Sequence, residues 1–423
     1  MNITAALEQA IPCKELELLR RLGAMAAERG EKLCLVGGAV RDAILGAPGP
    51  DIDLILEGDV RRFAEETAVA LGLDCIRHDA FGTATLSSAN GLRVDVAGAR
   101  SETYSQPGAL PHVTPDTIDA DLRRRDFTVN AMAASMLPLG FGELLDPFNG
   151  ACDIEHMLLR VLHANSFIDD PTRILRGFRF SDRFGFEEGT EKLVRDALKK
   201  RVFDTVSGVR IKKELRLIFE ARSRGRILET CREFGVGGAI QEGFEFKTGL
   251  FYPDDRVAEA WEALYETGRA SEYWAAGLAA AAAGAKPETL RALAERLGFT
   301  NAETEAMMLT NEASDPMYLE ILGNTCARQS QIAELLENIP PEALVYLYAA
   351  GGEMVRVNIT IYMRVVRHIR LTISGDDLIA RGYKPSRRFS EALSEILRRK
   401  RDGFLTGAGE ELRLAELLLK KEE

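Results

Sequence analysis

The N-terminal part of the chain alternates between the apolar spacings of helices and of strands. Leucines in residues 1–30 recur on one side of a predicted helix, and Val60–Leu71 is predicted as a second helix. Gly82 and the pair Asn90-Gly91, a strong hairpin signal, separate short apolar runs. These runs are predicted as strands over residues 73–78, 83–86 and 92–97. The pattern therefore predicts a small α/β domain with a mixed or antiparallel sheet.

Residues 35–56, LVGGAVRDAILGAPGPDIDLIL, place a strand, a Gly-Gly turn, a helical segment and a second strand in one short stretch. In the second strand Asp51 and Asp53 alternate with apolar residues, so both carboxylates point to one face. Two carboxylates on one open face attract a divalent cation. Chance is the alternative explanation, because the chain is acidic and contains another Asp-x-Asp at Asp119 and Asp121.

The Gly-Gly turn adds a phosphate site to this prediction. Gly37 and Gly38 let the backbone approach a ligand directly before a helix, whose free N–H groups and dipole favour phosphate. Arg41 and Asp42 follow on that helix. A lone Gly-Gly pair is weak evidence, but its order with the acidic strand predicts a nucleotide site where triphosphate and magnesium lie together.

The pattern becomes largely helical after this domain. Residues 101–119 contain three prolines and are predicted as an ordered loop. Residues 121–134, DLRRRDFTVNAMAA, are predicted as a helix with a charged beginning, and residues 144–153 as a strand end and a turn. From Ile168 onward helical patterns dominate, interrupted by Gly or Pro.

The composition is that of a globular protein with several domains. The chain has 423 residues, of which 46% are hydrophobic, so we expect two to four domains. Its six cysteines lack a CxxC pair, which argues against a zinc module or a disulfide scaffold. No apolar run approaches the length of a membrane span, and residues 1–14 lack the features of a secretory signal. We therefore expect a cytoplasmic protein without membrane contact.

The distribution of charge matters more here than its sum. A net charge of −11 opposes a polyanionic partner, since phosphate binding depends on Lys and Arg. Basic residues nevertheless cluster at positions 123–125, 199–216 and 387–401. Local patches of this kind are suited to binding an RNA backbone.

Asp95 is a candidate third carboxylate. It lies between two valines in the predicted strand over residues 92–97. On a neighbouring strand it would lie beside Asp51 and Asp53 and complete a three-carboxylate metal site. The alternative is an exposed charge on an edge strand.

Three arginines at positions 123–125 begin the next predicted helix. Helical spacing places Arg123, Asp126 and Asn130 on one side of it and Arg125 on another. A triphosphate needs fixed guanidinium groups, and a ribose needs an amide that donates and accepts hydrogen bonds; Arg125 and Asn130 offer these. The alternative is a solvated helix start. Because cations at a helix N-terminus oppose its dipole, an anionic ligand nearby would explain them better.

Residues 169–180, DDPTRILRGFRF, carry a candidate for base recognition. Asp170 and Arg173 are neighbours at three-residue spacing and offer an acceptor beside a set of donors. Such a pair complements cytosine and adenine and leaves unpaired polar groups against guanine and uracil. Arg176 is expected to brace the pair or reach the nucleotide. Alternatively, Asp170 only caps the helix that Pro171 begins.

These motifs, in this order, resemble the class II tRNA nucleotidyltransferase and bacterial poly(A) polymerase family. The matching segments are GGAVRDAILG with DIDLIL, RRRDFTVNA, DPFNG followed by Asp153, and DDPTRILRGFRF, over roughly residues 33–215. The resemblance implies an α+β fold with a polymerase β-like nucleotidyltransferase head, containing a small mixed sheet, and an all-α neck, body and tail. One departure is Asp169-Asp170, where the family usually has Glu-Asp; little change in specificity is expected.

The resemblance also implies roles for single residues. Asp51 and Asp53 would bind two Mg²⁺ ions, and Asp95 corresponds to a third catalytic carboxylate. Asp170 and Arg173 would select the base. The complete predicted nucleotide site contains Gly37, Gly38, Arg41, Arg125, Asn130, Asp170, Arg173 and Arg176.

The C-terminal segment resembles the tail of the tRNA branch of this family. Ser374 and Asp377 form a possible capping box, and a turn at residues 382–385 precedes a helix with a basic end. The predicted RNA-binding residues are Lys384, Arg387, Arg388, Arg398, Arg399 and Lys400. For the basic cluster at residues 398–401, the alternative is that the cations only satisfy the helix C-terminus.

The sequence thus predicts a four-part enzyme. The head would span residues 1–150, the neck 151–245, the body 246–340 and the tRNA-binding tail 341–423. The predicted reaction adds CMP and/or AMP from CTP or ATP to the 3′ end of a tRNA, by two-metal-ion catalysis without a nucleic-acid template. The alternatives are a poly(A) polymerase and a catalytically idle RNA-binding module. A small-molecule nucleotidyltransferase is disfavoured by the long helical region; the nucleotides added and the oligomeric state stay open.

Overall fold

Two compact units make up the chain, Met1–Glu214 and Leu215–Glu423. The computed structural model describes residues 1–48, 51–78, 82–88, 91–265 and 273–420. The division into four parts at residues 150, 245 and 340 is finer than these units and stays a prediction.

The first unit combines helices with a sheet. Its helices are α1 (Thr4–Ala10), α2 (Cys13–Glu28), α3 (Gly38–Ile44), α4 (Val60–Leu71), α5 (Ile118–Arg123), α6 (Gly150–Glu155), α7 (Ser166–Asp169), α8 (Thr172–Phe178), α9 (Glu188–Lys199) and α10 (Gly208–Glu220), the last of which runs past Glu214. Its strands are β1 (Lys32–Val36), β2 (Asp53–Glu57), β3 (Asp74–His78), β4 (Thr83–Ser87), β5 (Arg93–Gly98), β6 (Arg100–Thr103), β7 (His112–Pro115), β8 (Ala133–Ser135), β9 (Leu144–Leu145), β10 (Leu158–Leu159) and β11 (Gly185–Phe186).

Among the described residues, seven strands form one sheet in the order β3-β4-β5-β2-β1-β8-β9. β2 and β5 are parallel, and the other neighbours are antiparallel. The predicted mixed sheet is confirmed. The helix Val60–Leu71 has the predicted bounds, and its Phe63 is fully buried. In the predicted hairpin turn between β4 and β5, Gly91 has a φ of 84°, whereas Asn90 lies outside the described residues.

The prediction of one helix over residues 1–30 is wrong. α1 and α2 are separated at Ile11 and Pro12, where Pro12 has an extended ψ of 148°. Proline disfavours a helical conformation in the residue before it and lacks an N–H, so it ends one helix and allows another to begin. The leucine stripe itself is present, since Leu19 and Leu22 are fully buried.

Residues 101–119 were expected as a loop, and this expectation is also wrong. β6 and β7 pair antiparallel, with Arg100 opposite Pro115. Both strands of a two-stranded sheet are edge strands, where proline is tolerated. The other two prolines lie in the connection between the strands.

The helix predicted over residues 121–134 ends at Arg123. A 3-10 turn follows at Thr128–Asn130, and then β8, which pairs with β1. Sheet pairing has overridden the helical pattern here. Arg123 consequently lies in the last turn of a helix, where cations are favoured, so the dipole argument for an anionic ligand was wrong.

Within the described residues of the second unit, the regular secondary structure is helical. Its helices are α11 (Arg224–Glu233), α12 (Val236–Ile240), α13 (Arg256–Leu264), α14 (Tyr273–Ala282), α15 (Pro287–Leu297), α16 (Asn301–Glu312), α17 (Pro316–Gly323), α18 (Gln329–Leu336), α19 (Pro341–Ala350), α20 (Glu353–Arg364), α21 (Gly375–Ile379), α22 (Arg387–Arg401) and α23 (Ala408–Lys420). One apolar core includes Leu336, Leu347 and Ile359; another joins Leu378, Ile396 and Ala415. Within the described ranges, none of the helices has the length and apolar character needed to span a bilayer.

Candidate active site

Two carboxylates meet at the centre of the sheet. Asp53 begins β2, and the parallel register places it directly opposite Asp95 in β5. Ile52 and Leu54 are buried on the other face, as the alternation predicted. Because β5 lies between β4 and β2, the alternative that Asp95 is on an edge strand is wrong. Asp51 is exposed and precedes the strand rather than belonging to it.

Neighbouring charges act on these carboxylates. Burial and then the negative charge of Asp95 raise the pKa of the Asp53 carboxyl, and Asp51 adds to this effect while Arg125 opposes it. Thr85 Oγ1 donates to Asp95 Oδ1 at 2.5 Å, and Arg93 forms an ion pair with Asp95 at 3.2 Å. The repulsion between Asp53 and Asp95 is therefore only partly balanced by protein cations.

The donor chemistry of this pair fits Mg²⁺. Carboxylates are hard oxygen donors, and Mg²⁺ is commonly held by one or two of them together with water and substrate phosphates. A cation between Asp53 and Asp95 would offset the repulsion that, after burial, raises the pKa of the Asp53 carboxyl. Within the part of the chain that the structure describes, no group of three or more His, Cys, Asp or Glu side chains is placed to hold a metal ion, and the carboxylates that face each other are Asp53 and Asp95.

A cleft of about 370 Å³ opens beside the two carboxylates. Its lining combines carboxylates with basic side chains, namely Asp53, Asp95, His78, Arg93, Arg124 and Arg125, and also includes Thr85. Carboxylates together with guanidinium groups in one cleft match a metal-bound triphosphate. Sequence reasoning missed Thr85 and Arg93, although Arg93 precedes Asp95 by only two residues.

One buried carboxylate holds two of the arginines. Asp121 is fully buried; its Oδ1 accepts from Arg124 Nε at 2.8 Å, and its Oδ2 accepts from Arg125 Nη2 at 3.2 Å. Arg125 Nη1 also donates to the backbone carbonyl of Asn130 at 3.2 Å. Burial lowers the pKa of the Arg125 guanidinium, while the charge of Asp121 opposes that shift. The second Asp-x-Asp of the sequence therefore supplies a structural anchor.

The Gly-Gly turn lies next to this arginine. Gly37 has a φ of 63°, and a Cβ atom there would come within 2.6 Å of Arg125 Nη1. A side chain here would displace the Arg125 guanidinium and would be strained at this positive φ, so the position favours glycine. Gly38 begins α3, and Arg41 on that helix is buried against Asp42, with 2.9 Å between Nε and Oδ1.

Arg41 and Asn130 contact each other. Arg41 Nη1 donates to Asn130 Oδ1 at 2.6 Å, and Asn130 Nδ2 donates to Asp126 Oδ1 at 3.0 Å. Arg176 Nη2 lies 2.7 Å from Asp126 Oδ2. Burial raises the pKa of the Asp126 carboxyl, but the charge of Arg176 and the hydrogen bond from Asn130 outweigh burial and hold the pKa below its usual value. The amide of Asn130 thus donates and accepts, here toward protein groups. Its contact with a ribose, and any contact of Arg176 with a nucleotide, stay predictions.

Asp170 and Arg173 are both ordered by neighbours. Asp170 Oδ1 accepts from the Thr172 N–H at 3.0 Å at the start of α8, which is the capping contact of the alternative explanation. Arg173 is buried, and its guanidinium donates to Ser166 Oγ at 2.8 Å and to the Arg124 carbonyl at 2.7 Å. Capping and base selection are compatible, since a carboxylate has two oxygens.

Tyr104 was missed by sequence reasoning. Its hydroxyl donates to Glu102 Oε2 at 3.1 Å. Burial raises the pKa of Tyr104 to about 12, with Arg173 opposing and Glu102 and Asp170 adding to the shift. The phenol therefore stays protonated near the base-selecting pair. Nothing in the local sequence spacing marks it, because it lies on the unexpected β6–β7 hairpin.

The predicted RNA-binding residues of the tail are either exposed or paired with acidic side chains. Arg387 is 93% exposed, and Lys384 and Arg388 are exposed too. Arg398 pairs with Glu334, and Arg399 pairs with Glu395 at 2.9 Å. The Lys400 ammonium lies 2.5 Å from Oε1 of Glu411, whose side chain is fully buried, and this contact links α22 to α23. The predicted capping box of Ser374 and Asp377 is confirmed.

Comparisons with known proteins agree with this geometry. The family model for the poly A polymerase head domain matches residues 33–160. The A-adding tRNA nucleotidyltransferase of Halalkalibacterium halodurans is 33% identical over 405 residues, covering 93% of this chain and 90% of the relative. An A-adding enzyme of Geobacter sulfurreducens is 32% identical over 98% of this chain, which spans 48% of that relative. A CC-adding enzyme of Deinococcus radiodurans is 35% identical over 68% of this chain and 72% of its own length.

Solved structures give the same result over the whole chain. An apo form of a CCA-adding enzyme has a TM-score of 0.85 at 31% identity and covers 99% of both chains. A Thermotoga maritima CCA-adding enzyme in complex with tRNA has a TM-score of 0.75 at 29% identity, over 100% of this chain and 99% of that one. The chain therefore belongs to the tRNA nucleotidyltransferase family and has the nucleotidyltransferase head and helical remainder of that family.

Proposed function

We propose that this protein transfers CMP and/or AMP from CTP or ATP to the 3′ hydroxyl of a tRNA in the cytoplasm, without a nucleic-acid template. The observation that carries the proposal is the register of β2 and β5, which brings Asp53 opposite Asp95 in a cleft that also contains Arg124 and Arg125. In the transfer, the 3′ oxygen attacks the α-phosphorus and its proton is released. The bond from that phosphorus to the bridging oxygen breaks, and pyrophosphate leaves.

Each part of the cleft has a role in this reaction. Arg125, held by Asp121 in the same cleft as the carboxylates, binds the triphosphate. Asp51 and Asp53 would hold two Mg²⁺ ions, with Asp95 as a third carboxylate opposite Asp53; the ions would supply Lewis-acid activation of the hydroxyl and neutralisation of the leaving phosphates. The protein residues mainly hold the reactants in line.

Base selection is proposed at Asp170 and Arg173. One carboxylate oxygen would accept from the exocyclic amino group of cytosine or adenine, and the guanidinium would donate to the ring nitrogen. Guanine and uracil would place an acceptor against the carboxylate and a donor against the guanidinium, leaving buried polar groups unpaired.

The helical part is proposed to bind the tRNA. We retain the division into a neck (151–245), a body (246–340) and a tail (341–423) after the head (1–150). Lys384, Arg387 and Arg388 are exposed and suited to phosphate contacts.

A poly(A) polymerase is the second candidate, favoured by the head-domain match over residues 33–160. Three RNAs separate the candidates: a tRNA lacking CCA, a tRNA ending in CC, and an unrelated RNA, each incubated with single nucleoside triphosphates. Addition of one to three defined nucleotides to tRNA alone supports the proposal. Long A tails on any RNA support the polymerase, and no transfer to any RNA supports an idle RNA-binding module.

A further inference from the structure

Arg210 connects two parts of the base-selecting region. Its Nη2 donates to Asp170 Oδ1 at 2.7 Å, and its Nη1 donates to the backbone carbonyl of Gly108 at 2.9 Å. Gly108 lies on the connection between β6 and β7, and its N–H donates to the Asp169 carbonyl at 3.2 Å. The Arg210 side chain is 25% exposed and that of Asp170 is 16% exposed. This cation of the basic cluster 199–216 is therefore largely enclosed and fixed at both ends of its guanidinium.

The two oxygens of Asp170 are in different situations. Oδ1 accepts from Arg210 Nη2, from the Thr172 N–H at 3.0 Å and from Thr172 Oγ1 at 2.7 Å. From the residues that the structure describes, no hydrogen bond reaches Oδ2. One oxygen is thus saturated with donors while the other keeps its lone pairs for a ligand.

Arg173 does not hold Asp170 in place. Its Nη1 and Nη2 donate to Ser166 and to the Arg124 carbonyl. The structure shows no ion pair between Arg173 and Asp170 within its described ranges. The charged group that fixes the direction of the Asp170 carboxylate is Arg210.

We propose that Arg210 is a positioning residue for base selection: it binds Oδ1 of Asp170 so that Oδ2 is presented to the exocyclic amino group of the nucleotide. This inference rests on the proposed function and adds the residue that gives Asp170 its direction. A carboxylate that rotates freely can accommodate a donor from several directions, whereas a fixed one accepts only where the correct base places its amino group.

A merely structural role would have different consequences. If Arg210 only links α10 to the β6–β7 connection through its hydrogen bond to Gly108, its loss lowers the stability of the fold or lowers kcat/KM equally for all four nucleotides. If it positions Asp170, its loss affects the choice among nucleotides more than the overall rate. The ratio of kcat/KM values for correct and incorrect nucleotides separates the two roles.

The test compares Arg210→Met and Arg210→Lys in the full-length protein. Met keeps much of the length and removes both hydrogen bonds, whereas Lys keeps one charged donor. For Arg210→Met we expect the ratio of kcat/KM for the preferred nucleotide over UTP and GTP to fall severalfold, by no more than the roughly tenfold loss expected for Asp170→Ala, with partial recovery in Arg210→Lys. Thermal unfolding of both variants checks the fold, and Arg210→Lys remains informative if the Met variant does not fold.

Arg179→Met is the matched control. Arg179 directly follows α8, and its Nη1 forms an ion pair with Oε2 of Glu214 on α10 at 3.2 Å. Among the described residues, Arg179 contacts none of those proposed to select the base. This variant should lose one ion pair and keep the discrimination ratio.

The Asp170→Ala background gives a second readout. If Arg210 acts through Asp170, Arg210→Met causes no further loss of discrimination in that background. Additive losses, or equal loss for all four nucleotides, would overturn the inference. A wild-type protein that transfers no nucleotide to any RNA would overturn the proposed function and this inference together, whereas normal discrimination in active Arg210→Met overturns the inference alone.

Discussion

Runs of basic residues occur in the head and in the tail, but they are arranged in different ways. In the head, Arg124 and Arg125 share the fully buried Asp121 and line a cleft that also holds carboxylates. In the tail, Arg398 and Arg399 follow each other on α22 and pair with acids that are partly exposed.

The difference shows what distinguishes a ligand site from a charged surface. A buried anchor fixes guanidinium groups in advance of binding, so less freedom is lost when a phosphate arrives. Exposed pairs along a helix contribute little to stability and are weakened by salt. Adjacent arginines in a sequence are therefore informative only once the position of the opposing acid is known.

The largest effect should come from Asp53→Asn. Loss of the charge opposite Asp95 removes half of the proposed cation site, so we expect nucleotide transfer to fall by about 1,000-fold or more. The fold should persist, because Asp53 lines the cleft rather than the apolar core. Single-turnover incorporation into tRNA measures the effect, and circular dichroism checks the fold.

Asp74→Asn is the control for that change, since Asp74 begins β3 of the same sheet and lies outside the cleft. Near-normal turnover in Asp53→Asn would contradict the assignment of the active site.

Asp121→Asn tests the buried anchor of the head. Removing one partner of a buried ion pair leaves uncompensated charge, so the free energy of unfolding should fall by about 3 kcal/mol or more. The KM for the triphosphate should rise as well, because Arg125 loses its support. Urea unfolding and steady-state kinetics measure the two effects.

Asp119→Asn provides the comparison on the same helix, since Asp119 is exposed. If both variants lost the same free energy of unfolding and had the same KM for the triphosphate, the burial of Asp121 would not explain the difference between the arginines of the head and those of the tail.

Lys400→Met tests a basic residue of the tail that, unlike Arg398 and Arg399, pairs with a fully buried acid. Lys400 pairs with the fully buried Glu411, so its loss should lower the free energy of unfolding by about 2 kcal/mol. Burial raises the pKa of Glu411, but Lys400 and the N–H groups of Thr372 and Ile373 outweigh it, so the folded pKa lies below the usual 4.5. The stabilisation is thus present above pH 4.5 and is lost as the pH falls through the folded pKa.

Denaturant unfolding at several pH values checks this pH dependence, which should weaken in Lys400→Met. Arg387→Ala is the matched control: its side chain is 93% exposed, so stability should stay unchanged. A salt-sensitive loss of tRNA affinity in Arg387→Ala alone would separate RNA binding from the structural role of Lys400.

The smallest effect is expected for Asp170→Ala. Discrimination against UTP and GTP should weaken about tenfold, more than triphosphate binding, because the acceptor for the amino group is gone. Single-nucleotide kinetics on tRNA measure it. The neighbouring Asp169→Ala should behave like the wild type, and an equal loss for all four nucleotides would leave only the capping role.

Local patterns in the sequence were enough for several features. The bounds of the helix Val60–Leu71 and the Ser374 capping box follow from residue spacing alone. The alternation around Asp53 correctly placed its apolar neighbours in the core. These features depend on neighbours within a few residues, which is the range that helical and strand periodicity describes.

Features that depend on distant partners were missed. β8 was predicted as helix because its pairing with β1 cannot be read from local spacing. Arg210 carries no motif of its own; its importance comes from Asp170 and Gly108, which it contacts across the fold. Asp121 lies within helical spacing of the two arginines that it binds, but its complete burial cannot be read from that spacing.

The sequence by itself determined the order of the motifs, the family they resemble and the chemistry of the candidate side chains. The tertiary structure decided which carboxylate faces which: the parallel register of β2 and β5 puts Asp53 opposite Asp95, while Asp51 stays outside the strand. It also decided that Arg210, rather than Arg173, holds Asp170. The physical reason is that periodicity fixes the face on which a side chain lies, whereas strand register and packing between distant segments fix its partner.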